Sequence, residues 1–349
     1  MAPQKMKAAV TIGPGGKVEI KSDVDVPKPK PTEVLVKVIA AATNPTDWKT
    51  ITHVPTTGNI AGCDFAGIVE ELGPEVPAGA CNVGQRVAGL AHGSAFPNGA
   101  FAEYVAAPAS LLLPLPDSWS FEEGAQLGIA GYTACLCLYH AQSLPTPDAP
   151  TKEPLDILVW GGSSSVGQYV VQLAHLGGMR VVATSSPRNF PLLQKLGADL
   201  VFSYADPETP EKIREATGGK LAHAVDCISE GETSEQIARA IGDNGGVVSI
   251  ILNCKSPRPD VEFRHVLAYF LLGYNLEIPM KLPLDTAQFE FAPKAKKILT
   301  EALANGSLKP GPIKVMPNGL ASVNDGLAYL RDGKVSGEKV IYRISDTPA

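Results

Sequence analysis

The residues best suited to chemistry lie between positions 156 and 178. An apolar run ends at Trp160, a small-residue turn spans Gly161 to Gly167, and an amphipathic helical pattern opens behind it. Strand, tight turn and helix in that order make a dinucleotide site: small residues admit a pyrophosphate close to the backbone. The helix N-terminus offers it N–H groups and positive potential. The middle glycine of the usual three is replaced by Ser164. Ser163, Ser164 and Ser165 bring hydroxyl donors, with Val166 opening the helix beside them. An ordinary strand–turn–helix would use the same residues; the context favours the cofactor.

The second strand bears on which nicotinamide cofactor is held. A site for NAD usually carries a carboxylate ~20 residues beyond the first glycine, where it accepts from the ribose 2′-hydroxyl. Here Val181 to Thr184 is followed by Ser185, Ser186, Pro187, Arg188 and Asn189, with no acid among them. Hydroxyls, an amide and a guanidinium suit a 2′-phosphate, which a carboxylate would repel. Ser186 followed by proline is also a good helix start. Both roles can hold together, and NADPH is the expected cofactor.

These residues need a frame. A length of 349 residues suggests about two domains. The first 120 residues form short strand-like runs, at 7–11, 33–41, 65–71, 86–90 and 101–106, separated by proline and glycine turns. That spacing predicts a β-rich, partly open barrel. Residues 121–141 read as one long helix. Strands at 156–160, 179–184, 200–203, 223–228 and 246–252 then alternate with helices at 165–177, 188–196, 207–217 and 233–241. Short connections between such units require parallel strands with crossover helices, the doubly wound arrangement. The class is therefore α/β. A helix at 286–304, a strand at 313–316, a helix at 320–331 and a last strand at 338–344 return to the first domain.

Composition excludes several classes. The net charge is −6 with no long basic run, so nucleic acid is not an expected partner. No apolar run reaches the ~18–20 residues that cross a bilayer, so no membrane is expected either. The N-terminus lacks a signal-peptide core. Six cysteines without a C-x-x-C pair read as reduced thiols, which implies a cytoplasmic protein.

The order of parts resembles the medium-chain dehydrogenase/reductase superfamily across essentially the whole chain. That resemblance implies a GroES-like domain from residues 1–123 and 281–349, and a Rossmann NADPH-binding domain from 124–280. In the zinc alcohol dehydrogenases of that superfamily, a Cys and a Gly-His-Glu supply metal ligands. This chain has Asn44-Pro45-Thr46-Asp47-Trp48-Lys49 and Gly62-Cys63-Asp64 instead, and no four-cysteine lobe. Catalytic zinc needs three protein ligands and an open position, so no metal is expected and Cys63 reads as a small packed residue.

The N-P-x-D run, G-x-D-x-A-G-x-V over 62–69, residues 99–104 and the ending 333–340 resemble the zinc-free quinone oxidoreductase branch. Within it, residues 44–49, 186–190, 224–228 and 336–339 are most similar to fungal trans-acting enoyl reductases, which partner polyketide synthases. The resemblance implies NADPH-dependent reduction of an α,β-unsaturated carbonyl or thioester, small or carrier-bound, with a polyketide synthase as partner and a monomer rather than a homodimer. A stand-alone quinone or enone reductase, and a non-catalytic NADPH-binding interaction protein, are the alternatives.

By the same matching, Thr46, Asp47, Trp48 and Lys49 reach the cofactor, and Lys49 is a candidate catalytic cation. Thr133 is a second catalytic candidate near the nicotinamide, or a hydroxyl bonded to its own helix. Tyr204 contacts the adenosine phosphate or simply ends a strand. Ile250 and Ile251 close the nicotinamide side, and Val335 with Ser336 approach from the returning segment. Tyr132, Tyr269 and Tyr274 are the candidate substrate residues. Tyr269 and Tyr274 stand five apart, so one unbroken helix would not place them on one face. Tyr139 and His140 are further candidates to face the cleft.

Overall fold

The computed structural model describes residues 2–13, 15–54, 56–277 and 281–349. Two compact units divide the chain: Met1–Ile129 with Tyr269–Thr300 and Pro310–Ala349, and Ala130–Ala268 with Glu301–Lys309.

The first unit opens with β1 (Lys5–Ile12), β2 (Val18–Asp25), β3 (Glu33–Ala42), β4 (Thr57–Ile60), β5 (Asp64–Leu72), β6 (Arg86–Leu90), β7 (Tyr104–Pro108) and β8 (Leu113–Pro114). The second unit holds β9 (Asp156–Trp160), β10 (Arg180–Ser185), β11 (Leu200–Ser203), β12 (His223–Asp226), β13 (Gly246–Ile250) and β14 (Val261–His265). The chain then returns to the first unit with β15 (Ile313–Met316) and β16 (Lys339–Arg343).

In the first unit β3 is the hub. One edge pairs antiparallel with β5; the other meets β7 at Glu33–Lys37 and then β16 at Ala40–Ala42. Ala42 stands opposite Asp64 of β5 and Ile341 of β16. That register gathers the end of β3, the start of β5 and the start of β16 at one end of the sheet. Val34, Val36, Phe65, Val87, Val105 and Tyr342 fill the core behind it.

In the second unit the sheet is parallel, in the order β11-β10-β9-β12-β13-β14. Leu158, Val182, Ala224 and Val248 are wholly buried, as strands covered on both faces require. Strand order reverses between β9 and β12, the place where doubly wound sheets bind ligands beyond their carboxyl ends.

Three local expectations need correction. The sixth parallel strand, β14, was missed because Glu262 and Arg264 interrupt its apolar pattern. On this edge strand they pair with each other at the surface, 2.6 Å apart. The helix expected over 121–141 is broken into Phe121–Gly124, Gly128–Cys135 and a π-helical turn Leu136–His140. Ser120 caps the first piece through Glu123, and the Asp64 carboxylate takes the Ile129 N–H at 2.7 Å to start the second. Tyr139 faces no cleft: it is buried, and its hydroxyl donates to the Leu173 carbonyl at 3.1 Å.

Candidate functional site

In the second unit the loop after β9 turns tightly on small residues. Gly161 has φ +76°, a conformation glycine adopts without strain. Gly167 lies so close to the loop that a Cβ there would stand 2.3 Å from the Gly161 carbonyl oxygen. Ser164, in the place of the middle glycine, has an ordinary negative φ and is the N-cap of helix Ser165–Leu176. Its hydroxyl accepts from the Gly167 N–H at 3.0 Å. The departure from three glycines therefore exchanges backbone freedom for a cap. The first N–H groups of that helix, at Ser165 and Val166, have no partner within it, and Ser163 to Val166 are all half-buried. These are features a pyrophosphate fits.

The ends of β10 and β11 stand side by side, with Ser185 opposite Ser203. Ser186 and Tyr204 follow directly. Ser185 is turned inward, donating to the Ser186 carbonyl, and the buried Asn189 amide holds the Ser186 hydroxyl at 3.2 Å. Arg188 is exposed and has no hydrogen bond or ion pair among the described residues, while Tyr204 is 52% exposed. An unpaired guanidinium, a hydroxyl and an open aromatic ring thus share one sheet edge with no carboxylate at the tip of β10. Ile250 ends β13 fully buried, and the Ile251 N–H donates to Ser229 at 3.1 Å. Tyr132 is fully buried and Thr133 nearly so.

The first unit carries a second cluster, at the end of the sheet where β3, β5 and β16 meet. The Lys339 ammonium lies 2.6 Å from Asn44 Oδ1 and 3.2 Å from Asp64 Oδ2, and Asn44 Nδ2 donates to the same carboxylate at 2.8 Å. Lysine and carboxylate are both buried. Asp47 Oδ2 accepts the Asn44 N–H at 2.6 Å, whereas Oδ1 is buried without a hydrogen-bond partner. Burial pushes the Asp47 carboxyl up to about 7. The Cys63 thiol lies against that carboxyl and is itself raised by burial and by the acid beside it.

Cys63 Sγ is 2.9 Å from the Tyr269 hydroxyl, which also meets Thr46 Oγ1 at 3.0 Å. The 3₁₀ turn Ala268–Leu272 ends at Gly273, whose φ of +79° turns the chain. That turn brings Tyr269 and Tyr274 to one side after all. His92 stacks on Tyr269 with centroids 3.9 Å apart and bonds the Tyr274 hydroxyl at 3.1 Å; Phe96 packs edge-on to Tyr274. Burial lowers the His92 pKa to about 4, leaving the ring neutral.

Of the remaining candidates, Trp48 and Lys49 are half-buried, with the Lys49 ammonium 5.7 Å from the Trp48 ring centroid. Val335 packs against the first unit's core and Ser336 is half-buried. Cys63, Asp64, His92, Phe96 and Lys339 were not among the sequence candidates. A lysine opening an apolar strand and an aspartate opening another were the available signals.

Two family matches span the chain in turn: an alcohol dehydrogenase GroES-like domain over residues 30–117, and a zinc-binding dehydrogenase domain over 165–268. A trans-enoyl reductase of Alternaria alternata is 40% identical, with 97% of this chain and 99% of the relative aligned. One from Penicillium crustosum is 36% identical, over 97% and 98%. This chain belongs to the trans-enoyl reductases. It is a medium-chain dehydrogenase/reductase, an oxidoreductase that uses a nicotinamide cofactor.

Solved structures agree on the fold of this reductase. The CurK enoyl reductase superposes with a TM-score of 0.78 at 20% identity, covering 97% of this chain and 99% of that one. A mycobacterial quinone oxidoreductase superposes with 0.74 at 24%, over the same shares. Although one matching family is named for zinc, among the reductase's described residues no group of three His, Cys, Asp or Glu side chains could hold a metal ion. Nor is any helix among them long and apolar enough to cross a membrane.

Proposed function

We propose that this reductase uses NADPH to saturate the α,β-double bond of a carrier-bound acyl thioester, acting in trans with a polyketide synthase, as a monomer in the cytoplasm. The end-to-end match to named trans-enoyl reductases carries the reading. The choice of NADPH is supported by the exposed, unpaired Arg188 beside Ser186 and by the missing carboxylate after β10. The GroES-like catalytic domain is assigned to residues 1–123 and 281–349 and the cofactor domain to 124–280, although the compact unit that holds the first 129 residues also takes in Tyr269 and Tyr274.

NADPH, when bound, supplies the hydride for the β-carbon. Ser163, Ser164, Ser165 and Val166 would hold the pyrophosphate through hydroxyl and N–H groups at the helix N-terminus. Ser186, Arg188, Asn189 and Tyr204 would hold the 2′-phosphate end, with Ser185 bracing the turn through its bond to the Ser186 carbonyl. By resemblance, Ile250 and Ile251 of the second unit would contact the nicotinamide end, Val335 and Ser336 of the first unit are separately assigned to the cofactor, and Thr46, Asp47 and Trp48 precede Lys49 in its loop. Reduction at the β-carbon leaves negative charge on the thioester oxygen. A fixed cation or hydroxyl donor at that oxygen lowers the barrier most; Lys49 in the first unit and Thr133 in the second are each candidates for that role. Tyr269 and Tyr274 line the acyl site; Tyr132 lies wholly buried in the second unit.

Incubation of the purified reductase with NADPH and a panel of enoyl thioesters and quinones tests this. Oxidation of NADPH with thioesters alone is expected. Turnover with quinones alone would replace the reading with a stand-alone quinone reductase, and binding without turnover would leave an interaction protein.

A further inference from the structure

Four polar side chains of the first unit form a line running from its core outward. Asp47 and Cys63 are each 1% exposed, Tyr269 is 8% exposed, and Thr46 is half-buried. The Cys63 thiol lies against the Asp47 carboxyl and 2.9 Å from the Tyr269 oxygen, and that oxygen is 3.0 Å from the Thr46 hydroxyl. The residues come from separate parts of the chain: helix Pro45–His53, the turn before β5, and the 3₁₀ turn Ala268–Leu272. Packing alone would explain a phenylalanine at 269 and an alanine at 63. It does not explain a buried carboxyl set against that thiol at the inner end.

We propose that Tyr269 is the proton donor to the substrate's α-carbon, resupplied from Asp47 through Cys63. This rests on the enoyl-reductase reading above. Once the β-carbon has been reduced, the enolate's electron pair takes the Tyr269 proton: the O–H bond breaks and the α-C–H bond forms. The tyrosinate oxygen takes the thiol proton of Cys63, and the thiolate takes the carboxyl proton of Asp47. After the product leaves, the carboxylate regains a proton from water along the same line, which opens at Thr46. Tyr269 is a catalytic residue in this scheme; Cys63 and Asp47 act through it.

The environment suits these roles. Burial holds the tyrosine and the thiol protonated between turnovers, while Asp47 exchanges its proton near pH 7. The groups facing Asp47 are Cys63 and Asp64 from the start of β5, Lys339 and Tyr342 from β16, and Tyr269 beyond the thiol. The pH profile therefore has a definite sign: turnover falls on the alkaline side, as pH rises through about 7, because the inner reservoir empties.

The test uses the full chain with NADPH and a crotonyl thioester of N-acetylcysteamine. Tyr269→Phe keeps the ring stacked on His92 and is expected to lower kcat about a hundredfold, with NADPH affinity, read by fluorescence, unchanged. Cys63→Ala is expected to lose about tenfold and Cys63→Ser to recover most of it. Asp47→Asn, which still accepts the Asn44 N–H, is expected to remove the limb near pH 7. A readout independent of turnover is the infrared S–H band that disappears in Cys63→Ala: it is expected to shift in Tyr269→Phe. If the wild type reduces the thioester and Tyr269→Phe does so at the same rate, with the same solvent isotope effect, this proposal fails and the enzyme reading stands. If the wild type reduces no thioester, the enzyme reading fails, and the donor assignment with it. An S–H band that does not move overturns the relay whatever the activity.

Discussion

The cofactor loop and the buried polar cluster are built in opposite ways. The loop is local: Gly161 to Val166 and Ser185 to Asn189 each lie within one turn of chain, and the donors are mostly backbone N–H groups and short hydroxyls. The cluster joins residues far apart in sequence. Lys339 reaches Asn44 across 295 positions and Tyr269 reaches Cys63 across 206. Local sites tolerate change at one residue because the turn survives it. Clusters of buried charge do not, because each partner desolvated by folding depends on the others.

This contrast ranks the expected effects. Lys339→Met removes the cation from a buried carboxylate and is expected to destabilise the chain by about 3–5 kcal/mol, read by urea unfolding. Paired with Asp64→Asn, most of that loss is expected to return. Equal losses in the single and double variants would mean that the ion pair is not what the cluster depends on.

His92 gives the cluster a pH signature. Its folded pKa of about 4 lies below the usual 6.5, so the unfolded chain binds a proton that the folded ring refuses. Stability tied to His92 is present above about pH 6.5 and lost as pH falls toward 4. His92→Phe is therefore expected to gain about 2 kcal/mol relative to wild type on going from pH 7 to about pH 5, measured as a difference in Tm across buffers. A constant difference would place a charged ring in the folded state.

Effects in the loop are smaller. Arg188→Ala removes one exposed cation and is expected to weaken NADPH binding about tenfold while leaving NADH binding unchanged, by fluorescence titration. Equal loss for both would move Arg188 off the 2′-phosphate. Ser164→Ala removes a helix cap and is expected to cost about 1 kcal/mol, Ser164→Gly only a few tenths. The reverse order would mean that the hydroxyl serves the ligand rather than the helix.

The same contrast explains what could be read from residues alone. The parallel sheet and the glycine-serine loop are legible because their signals, apolar strand runs and small-residue turns, repeat over short windows. Ser164 was visible as an irregularity; that it caps the helix needed the Gly167 N–H in place. Strand β14 escaped because its outward Glu262 and Arg264 break the apolar pattern. Tyr269 and Tyr274 were named, yet the positive φ of Gly273 that brings them together leaves little trace beyond the glycine itself. Cys63 read as packing, and it is packed; its second property, a sulfur between a carboxyl and a phenol, depends on segments that only the fold assembles. Lys339 and Asp64 each open a strand, and only the register of β3 with β5 and β16 makes them partners.

The most direct test follows the two hydrogens separately. NADPH deuterated at the transferring position, given with an enoyl thioester in ordinary water, is expected to yield product with one deuterium at the β-carbon. Ordinary NADPH in deuterated water is expected to place one at the α-carbon. Saturation of the thioester with no label from the coenzyme, or consumption of NADPH only when a quinone is present, would contradict the account.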